Sequence, residues 1–160
     1  MRVIDIIDGT TVDGPGFRTS IYFAGCLHHC EGCHNPQSWD MEAGKEMSID
    51  EILTVVDRND MDVSLSGGDP MYQAGELVEL CRKIKSKGLS IWLYTGFLYE
   101  ELLKMPLQSA VLEYIDVVVD GPFILDKRDT SLLFRGSSNQ RIIDVKASSV
   151  NNIVAWKSDF

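Results

Sequence analysis

Three cysteines lie within eight residues of one another, and their spacing is that of a metal site. Cys26, Cys30 and Cys33 form the pattern C-x3-C-x2-C. A tetrahedral zinc site of the Cys3His type would add one of the neighbouring histidines, which are His28, His29 and His34. A [4Fe–4S] cluster needs four ligands. Three cysteines would therefore leave one of its irons open to a substrate or a cofactor.

The fourth cysteine belongs to a different environment. Cys81 lies with Leu77 and Ile84 at helical spacing on the apolar face of a predicted helix, where a cysteine usually behaves as a small hydrophobic residue. Asp5 and Asp8 interrupt the apolar core that a signal peptide would need. We therefore expect a reducing, cytoplasmic location, in which disulfides are rare. The sequence predicts three metal ligands and one core cysteine.

Three further segments carry glycine and polar residues where a predicted strand ends. They are Gly67-Gly68-Asp69-Pro70, Tyr94-Thr95-Gly96 and Asp120-Gly121-Pro122, and the cysteine loop also follows a strand. Ligands of parallel α/β sheets and barrels bind at the carboxyl edge of the strands. We therefore expect four loops to converge on one active site.

The elements that position these loops alternate along the chain. Strands are predicted over 17–24, 63–65, 89–94 and 114–119, and helices over 49–58, 74–86 and 99–113, the last one interrupted at Pro106. Ser48 and Glu51 form a capping box at the first helix, and Gly88 ends the second. This order implies parallel strands joined by crossover helices. After Pro122 the pattern weakens to a candidate strand over 142–145 and a candidate short helix in the tail.

Length and charge limit the fold and the partners. The chain has 160 residues, whereas a closed (β/α)8 barrel needs about 250. We predict a single domain over residues 1–160, an α/β fold in the form of an incomplete, open (β/α) barrel with mostly parallel strands and the cysteines at their C-terminal edge. The net charge of −9 argues against nucleic-acid and anionic-membrane partners, which favour basic surfaces. No uncharged apolar segment reaches the roughly 20 residues of a membrane-spanning helix.

Six motifs, in order over most of the chain, resemble those of a known enzyme family. The segment 23–35, which holds the three cysteines, resembles the cluster-binding loop of radical S-adenosylmethionine enzymes. The set as a whole is similar to the glycyl-radical-enzyme activases that act on anaerobic ribonucleoside-triphosphate reductase. The other motifs are Asp13-Gly14-Pro15-Gly16-Phe17-Arg18, Ser66-Gly67-Gly68-Asp69-Pro70, Trp92-Leu93-Tyr94-Thr95-Gly96, Val119-Asp120-Gly121 and Arg135-Gly136-Ser137-Ser138-Asn139-Gln140.

This resemblance implies a defined chemistry. Cys26, Cys30 and Cys33 would hold a [4Fe–4S] cluster whose fourth iron binds S-adenosylmethionine. In the family, one electron from the reduced cluster cleaves the S–C5′ bond and yields methionine and a 5′-deoxyadenosyl radical. That radical takes a hydrogen atom from a glycine of the reductase and leaves a glycyl radical. The implied partners are this reductase and a flavodoxin-type electron donor.

The resemblance also implies a binding site for S-adenosylmethionine. It assigns Gly32, Cys33 and His34 to the adenine, and Gly67, Gly68 and Asp69 to the methionine ammonium group. Thr95 and Gly96, at the end of a predicted strand, are the candidates for the remaining pocket. Asp120 either belongs to that pocket or caps the next turn, since a carboxylate at the end of an apolar strand is costly unless it is paired or exposed. Asp69 replaces the longer glutamate that is more frequent in the family, and Gly32 replaces a frequent aromatic residue. We therefore expect His34 or the stretch 92–97 to cover the adenine.

The motif at 13–18 is assigned by the same resemblance to the opening where the partner's glycine loop enters. Arg18 and Arg135 are candidates to pair with carboxylates of either molecule.

Two other functions fit the same residues. An activase of another glycyl radical enzyme, such as pyruvate formate-lyase, would share this chemistry, although such enzymes are usually longer and often have an aromatic residue at the position of Gly32. A non-catalytic zinc-binding adaptor would use the cysteines and a histidine in a closed site. The zinc protein would be colourless and would not respond to S-adenosylmethionine, whereas the cluster protein would be brown.

Overall fold

A seven-stranded mixed sheet forms the centre of the computed structural model, which describes residues 1–158. The strands are β1 (Arg2–Thr10), β2 (Arg18–Phe23), β3 (Lys45–Glu46), β4 (Asp62–Gly67), β5 (Ile91–Tyr94), β6 (Val117–Asp120) and β7 (Arg141–Asp144). Their order across the sheet is β3-β1-β2-β4-β5-β6-β7. The helices are α1 (Ile49–Asn59), α2 (Ala74–Ser86), α3 (Tyr99–Leu102) and α4 (Pro106–Leu112), with short 3-10 turns at Pro36–Ser38, Pro70–Gln73 and Leu125–Lys127.

The centre of the sheet follows the predicted order, whereas its edges do not. Strands β2, β4, β5 and β6 pair in parallel and are linked through helices. Strand β1 pairs antiparallel with β2 and with β3, and β7 pairs antiparallel with β6. The expectation of mostly parallel strands is therefore wrong, because three of the six pairings are antiparallel. The segment between β1 and β2 is too short for the crossover that a parallel pair requires.

The sheet is open, since β3 and β7 form its two edges and do not pair with each other. The α/β class and the open sheet are thus confirmed, but this strand order does not establish a partial barrel. The strand expected at 142–145 is confirmed as β7. The short helix expected in the tail is wrong, because residues 145–158 contain only turns and isolated bridges, one of them between Ile143 and Ala155.

The helices cover one face of the sheet and build the main core there. Strand alternation points Ile91 and Leu93 of β5 to this face, and Trp92 to the other. Cys81 of α2 is fully buried in the main core, which confirms its prediction as a core residue. On the opposite face, Trp92 packs edge-on against Phe134 and Trp156, at ring distances of 5.5 and 4.9 Å. Within residues 1–158, no helix is long and apolar enough to cross a membrane.

Candidate cluster and cofactor site

An open cavity of about 670 Å³ lies where the loops after β2, β4, β5 and β6 meet. Its volume is within the range of about 300–1,000 Å³ that is typical of small-molecule sites. The predicted site residues that line it are Cys26, Cys30, Cys33, His34, Gly67, Gly68, Thr95 and Gly96. The structure therefore brings together the four loops that follow the parallel strands.

Backbone hydrogen bonds hold the start of the cysteine loop in place. The N–H groups of Gly25 and Cys26 donate to the carbonyls of Ser38 and Trp39 at 2.8 and 3.1 Å. The Asn35 N–H lies 3.4 Å from the Cys33 Sγ and donates to it. Burial raises the pKa of the Cys26 thiol to about 11. A metal that binds Cys26 must therefore displace a proton.

Three thiols are the side chains of this site that could hold an iron–sulfur cluster. Cys26, Cys30 and Cys33 all line the cavity, and such a cluster takes each thiolate at a different iron. His29 is exposed and stacks on Trp39 at 4.6 Å, and Cys81 lies in the core. The donor set is therefore three thiols without a fourth.

Gly67 and Gly68 are required by the close approach of two backbones. The Gly68 N–H donates to the Phe23 carbonyl at 2.8 Å, and the Asp69 N–H donates to the Gly25 carbonyl at 2.9 Å. A Cβ on Gly68 would lie 2.6 Å from the Gly25 oxygen, and one on Gly67 would lie 2.3 Å from the Phe23 nitrogen. The two glycines thus let the loop after β4 lie directly against the loop that carries the cysteines.

Asp69 does not reach the cavity with its carboxylate. The residue is fully buried, and its Oδ1 accepts the Met71 N–H at 3.0 Å. Its Oδ2 accepts the Thr95 hydroxyl and the Gly96 N–H, at 2.8 and 2.9 Å. His28 Nε2 lies 2.8 Å from the same oxygen. The structure therefore gives Asp69 four partners within the protein, and it does not present this carboxylate to a ligand as the resemblance implied.

Asp120 likewise points away from the cavity, so its placement in the pocket is corrected. It is fully buried at the end of β6 and accepts the Tyr99 N–H at 2.8 Å. Arg141, its partner in the β6–β7 register, donates Nε to it at 3.0 Å and also binds Glu100. Asp120 thus caps the first turn of α3, and only the following Gly121 lines the cavity.

Of the three residues assigned to the adenine, Cys33 and His34 line the cavity and Gly32 does not. Gly32 has a φ of +74° and does not line the cavity, and a Cβ there would lie 2.8 Å from a methyl group of Leu125. The positive φ favours glycine at position 32, and the exposed Leu125 side chain would have to move to admit an aromatic residue there. His34 and Phe123 both line the cavity, with ring centroids 5.3 Å apart.

Two tyrosines stand on the sheet floor: sequence reasoning missed Tyr22, whereas Tyr94 belongs to the stretch 92–97 that the sequence predicts near the adenine. Tyr22 and Tyr94 line the cavity on either side of Ser66. The Tyr22 hydroxyl donates to the Asp13 carboxylate, and burial is the main cause that raises the pKa of both phenols, so both stay protonated. Strand alternation could have found Tyr22, since its neighbours Ile21 and Phe23 belong to the core on the other face.

Of the two arginines predicted to pair with carboxylates, Arg18 is buried in the protein and Arg135 lines the cavity. Arg18 is fully buried and donates to Ser64 Oγ at 2.8 Å and to the Val63 carbonyl at 2.9 Å. Its nearest carboxylate is Asp62 of the same chain, at 3.8 Å. Ser64 Oγ in turn donates to the Asp13 carbonyl at 2.5 Å, so Arg18 anchors the loop that carries Asp13. Arg135 lines the cavity and donates to the Gln140 carbonyl.

Comparison with known proteins agrees with this site. A family model described as a 4Fe-4S single cluster domain matches residues 12–143. The anaerobic ribonucleoside-triphosphate reductase-activating protein of Vibrio cholerae serotype O1 is 39% identical over 141 residues, which are 82% of this chain and 90% of the relative. The protein of that name from Haemophilus influenzae is 36% identical over 154 residues, 89% and 97% of the two chains. The one from Enterobacteria phage T4 is 32% identical over 156 residues, 92% and 93%. The chain belongs to the family of anaerobic ribonucleoside-triphosphate reductase-activating proteins and contains a 4Fe-4S domain.

Proposed function

We propose that this protein is a radical S-adenosylmethionine enzyme that activates anaerobic ribonucleoside-triphosphate reductase by generating a glycyl radical in it. The observation that carries the proposal is the three thiols, without a fourth, on the wall of a cavity that has room for a cluster and a nucleoside-sized cofactor. The relatives are named for activating this reductase, which supports the choice of partner.

In this proposal Cys26, Cys30 and Cys33 hold three of the four irons. When bound, the cluster supplies the electron that cleaves S-adenosylmethionine into methionine and a 5′-deoxyadenosyl radical, which takes a hydrogen atom from a glycine of the reductase. Gly67 and Gly68 carry no side chain between the backbone and the cofactor, so the methionine end can approach closely.

The other end of the cofactor would lie between the remaining loops. His34 and Phe123 offer ring faces to the adenine, while Thr95 and Gly96 line the wall between the two ends. Asp69 would act on the cofactor indirectly, because its carboxylate holds Thr95 and Gly96 in place through hydrogen bonds. These assignments make Asp69 a positioning residue and not a contact of the cofactor.

The whole chain would work as a single radical S-adenosylmethionine domain in the cytoplasm, with a flavodoxin-type electron donor. Asp13 and Arg135 lie on the cavity wall as charged side chains of opposite sign, and they are the candidates to meet the backbone of the incoming glycine loop.

Anaerobic reconstitution with iron and sulfide tests this function. We expect a brown protein with about four irons per chain that forms methionine and 5′-deoxyadenosine from S-adenosylmethionine when it is reduced. Cys26→Ala should lose both properties, and Cys81→Ala should keep both because that residue lies in the core. A Cys26→Ala protein with full iron content and full cleavage would refute the ligand assignment.

Two control incubations separate the alternatives. Parallel reactions with the reductase and with pyruvate formate-lyase identify the partner, since only the true one acquires a glycyl radical. A colourless protein that binds zinc and ignores S-adenosylmethionine would instead support the adaptor.

A further inference from the structure

We propose that His28 is a positioning residue that joins the cysteine loop to the loops after β4 and β5 through the buried carboxylate of Asp69. The inference rests on the cluster ligation proposed above. His28 lies two residues from Cys26 and two residues from Cys30, so a contact that fixes its ring also restrains both cysteines.

The carboxylate of Asp69 is the point where three loops meet. From the cysteine loop, His28 Nε2 lies 2.8 Å from its Oδ2. From the loop after β5, the Thr95 hydroxyl and the Gly96 N–H donate to the same oxygen at 2.8 and 2.9 Å. Its Oδ1 takes the Met71 N–H of its own turn. Among the described residues, His28 is the only basic side chain that pairs with this fully buried carboxylate. The His28 bond therefore ties the segment between Cys26 and Cys30 to this carboxylate, in addition to the backbone bond from the Asp69 N–H to the Gly25 carbonyl.

The His28 ring is also held by packing. It meets the Phe97 ring edge-on at 4.6 Å and lies 5.6 Å from the Tyr72 ring. Gly96 leaves the space for it, because a Cβ at that position would lie 2.5 Å from His28 Cδ2. Nε2 is engaged by Asp69, so it is not available to a metal without the loss of a buried hydrogen bond. The geometry thus separates His28 from the cysteines in role, although it lies between them in sequence.

The expected effect is on how firmly iron is held. Removal of groups that orient metal ligands typically costs about 10–100-fold in metal affinity. His28→Phe keeps a ring against Phe97 and Tyr72 but cannot donate to Asp69. His28→Gln keeps an N–H donor at the end of the side chain. The matched control is His29→Asn, which removes the neighbouring, exposed imidazole at a φ of +48°, a conformation that asparagine tolerates.

The experiment measures iron release from the reconstituted protein into excess chelator, without S-adenosylmethionine or reductase. We expect His28→Phe to release iron about 10–100-fold faster than the native protein. His28→Gln should restore most of the difference, and His29→Asn should match the native rate. The EPR spectrum of the reduced cluster should change in His28→Phe only. The proposal would be overturned if His28→Phe released iron at the native rate, or if His29→Asn accelerated iron release as much as His28→Phe does.

A second variant covers the case in which His28→Phe does not fold. Asp69→Asn weakens the same link from its other end, and its iron release should also be accelerated. Where both variants fold, the double variant should release iron no faster than the faster of the two single variants, because both changes break the same hydrogen bond between His28 and Asp69. Additive losses would contradict the proposal. A native protein that holds a cluster without cleaving S-adenosylmethionine would refute the proposed function but would leave this comparison intact.

Discussion

Gly68→Ala tests whether the two loops at the cavity must lie as close together as the structure shows. The added methyl group would stand 2.6 Å from the Gly25 oxygen and 2.8 Å from the Ser38 oxygen. Ordinary van der Waals contact begins at 3.4 Å, so the Gly25 carbonyl must retreat by roughly 0.8 Å. Both are backbone atoms, and neither can rotate away as a side chain would.

The cost follows from this displacement. Forcing an extra methyl group into a packed site usually costs about 1–3 kcal/mol. The retreat also stretches the bond from the Asp69 N–H to the Gly25 carbonyl, now 2.9 Å long. For a chain of this size, each kcal/mol lowers Tm by about 2–4 °C. We therefore expect Gly68→Ala to lower both the free energy of unfolding and Tm.

Thermal and urea unfolding of the metal-free protein, followed by circular dichroism, give the measurement. Gly75→Ala is the matched control, because a Cβ on Gly75 meets nothing within 4 Å and lies in α2. Alanine in a helix is more stable than glycine by about 0.5–1 kcal/mol, so this variant should unfold at a slightly higher temperature. If Gly68→Ala unfolds as late as the native protein, the close approach of the two loops is refuted.

Three further predictions follow from buried or paired groups. Arg18→Met should cost about 1–3 kcal/mol in urea unfolding, since the Ser64 Oγ and the Val63 carbonyl lose a buried donor, whereas exposed Arg82→Met should change little; equal losses would contradict the role of Arg18. The Arg141 hydrogen bond lowers the pKa of Glu100 to about 2, so stability from this pair is full above about pH 4.3 and is lost as the pH falls towards 2. The difference in unfolding free energy between native protein and Glu100→Gln should shrink over that window, and a constant difference would refute the ion pair. Burial raises the pKa of Cys26 to about 11, so mass spectrometry of the alkylated metal-free protein should show the rate at Cys26 still rising steeply from pH 9 to pH 10.5. A rate that levels off by pH 10, as for a free thiol of pKa about 8.5, would contradict its burial.

Local periodicity predicts the central part of this fold because each helix buries one apolar stripe. Helix α2 occupies the predicted residues, with Cys81 on the buried face, and the loops after the parallel strands meet as that topology requires. Strand β1 could not be predicted from local periodicity, because Asp5 and Asp8 interrupt the run of isoleucines in it. It is held by hydrogen bonds to β2 and β3, which a pattern within β1 itself does not reveal.

Side-chain direction at the site depends on contacts between distant segments. Asp69 and Asp120 stand at the predicted loop positions, yet both carboxylates turn into the protein, towards His28 and Arg141, which lie 41 and 21 residues away. Gly32 lies against Leu125, a residue from another loop. Sequence motifs therefore locate the loops of the site, whereas tertiary packing decides which atoms face the cavity.

The most direct test of the proposed function is the EPR spectrum of anaerobic ribonucleoside-triphosphate reductase after anaerobic incubation with this protein, S-adenosylmethionine and a reductant. We predict the doublet of a glycyl radical on the reductase, its loss with Cys26→Ala, and its retention with Cys81→Ala. A reconstituted, reduced protein that yields no glycyl radical in the reductase, or a Cys26→Ala variant that still yields one, would contradict the proposal.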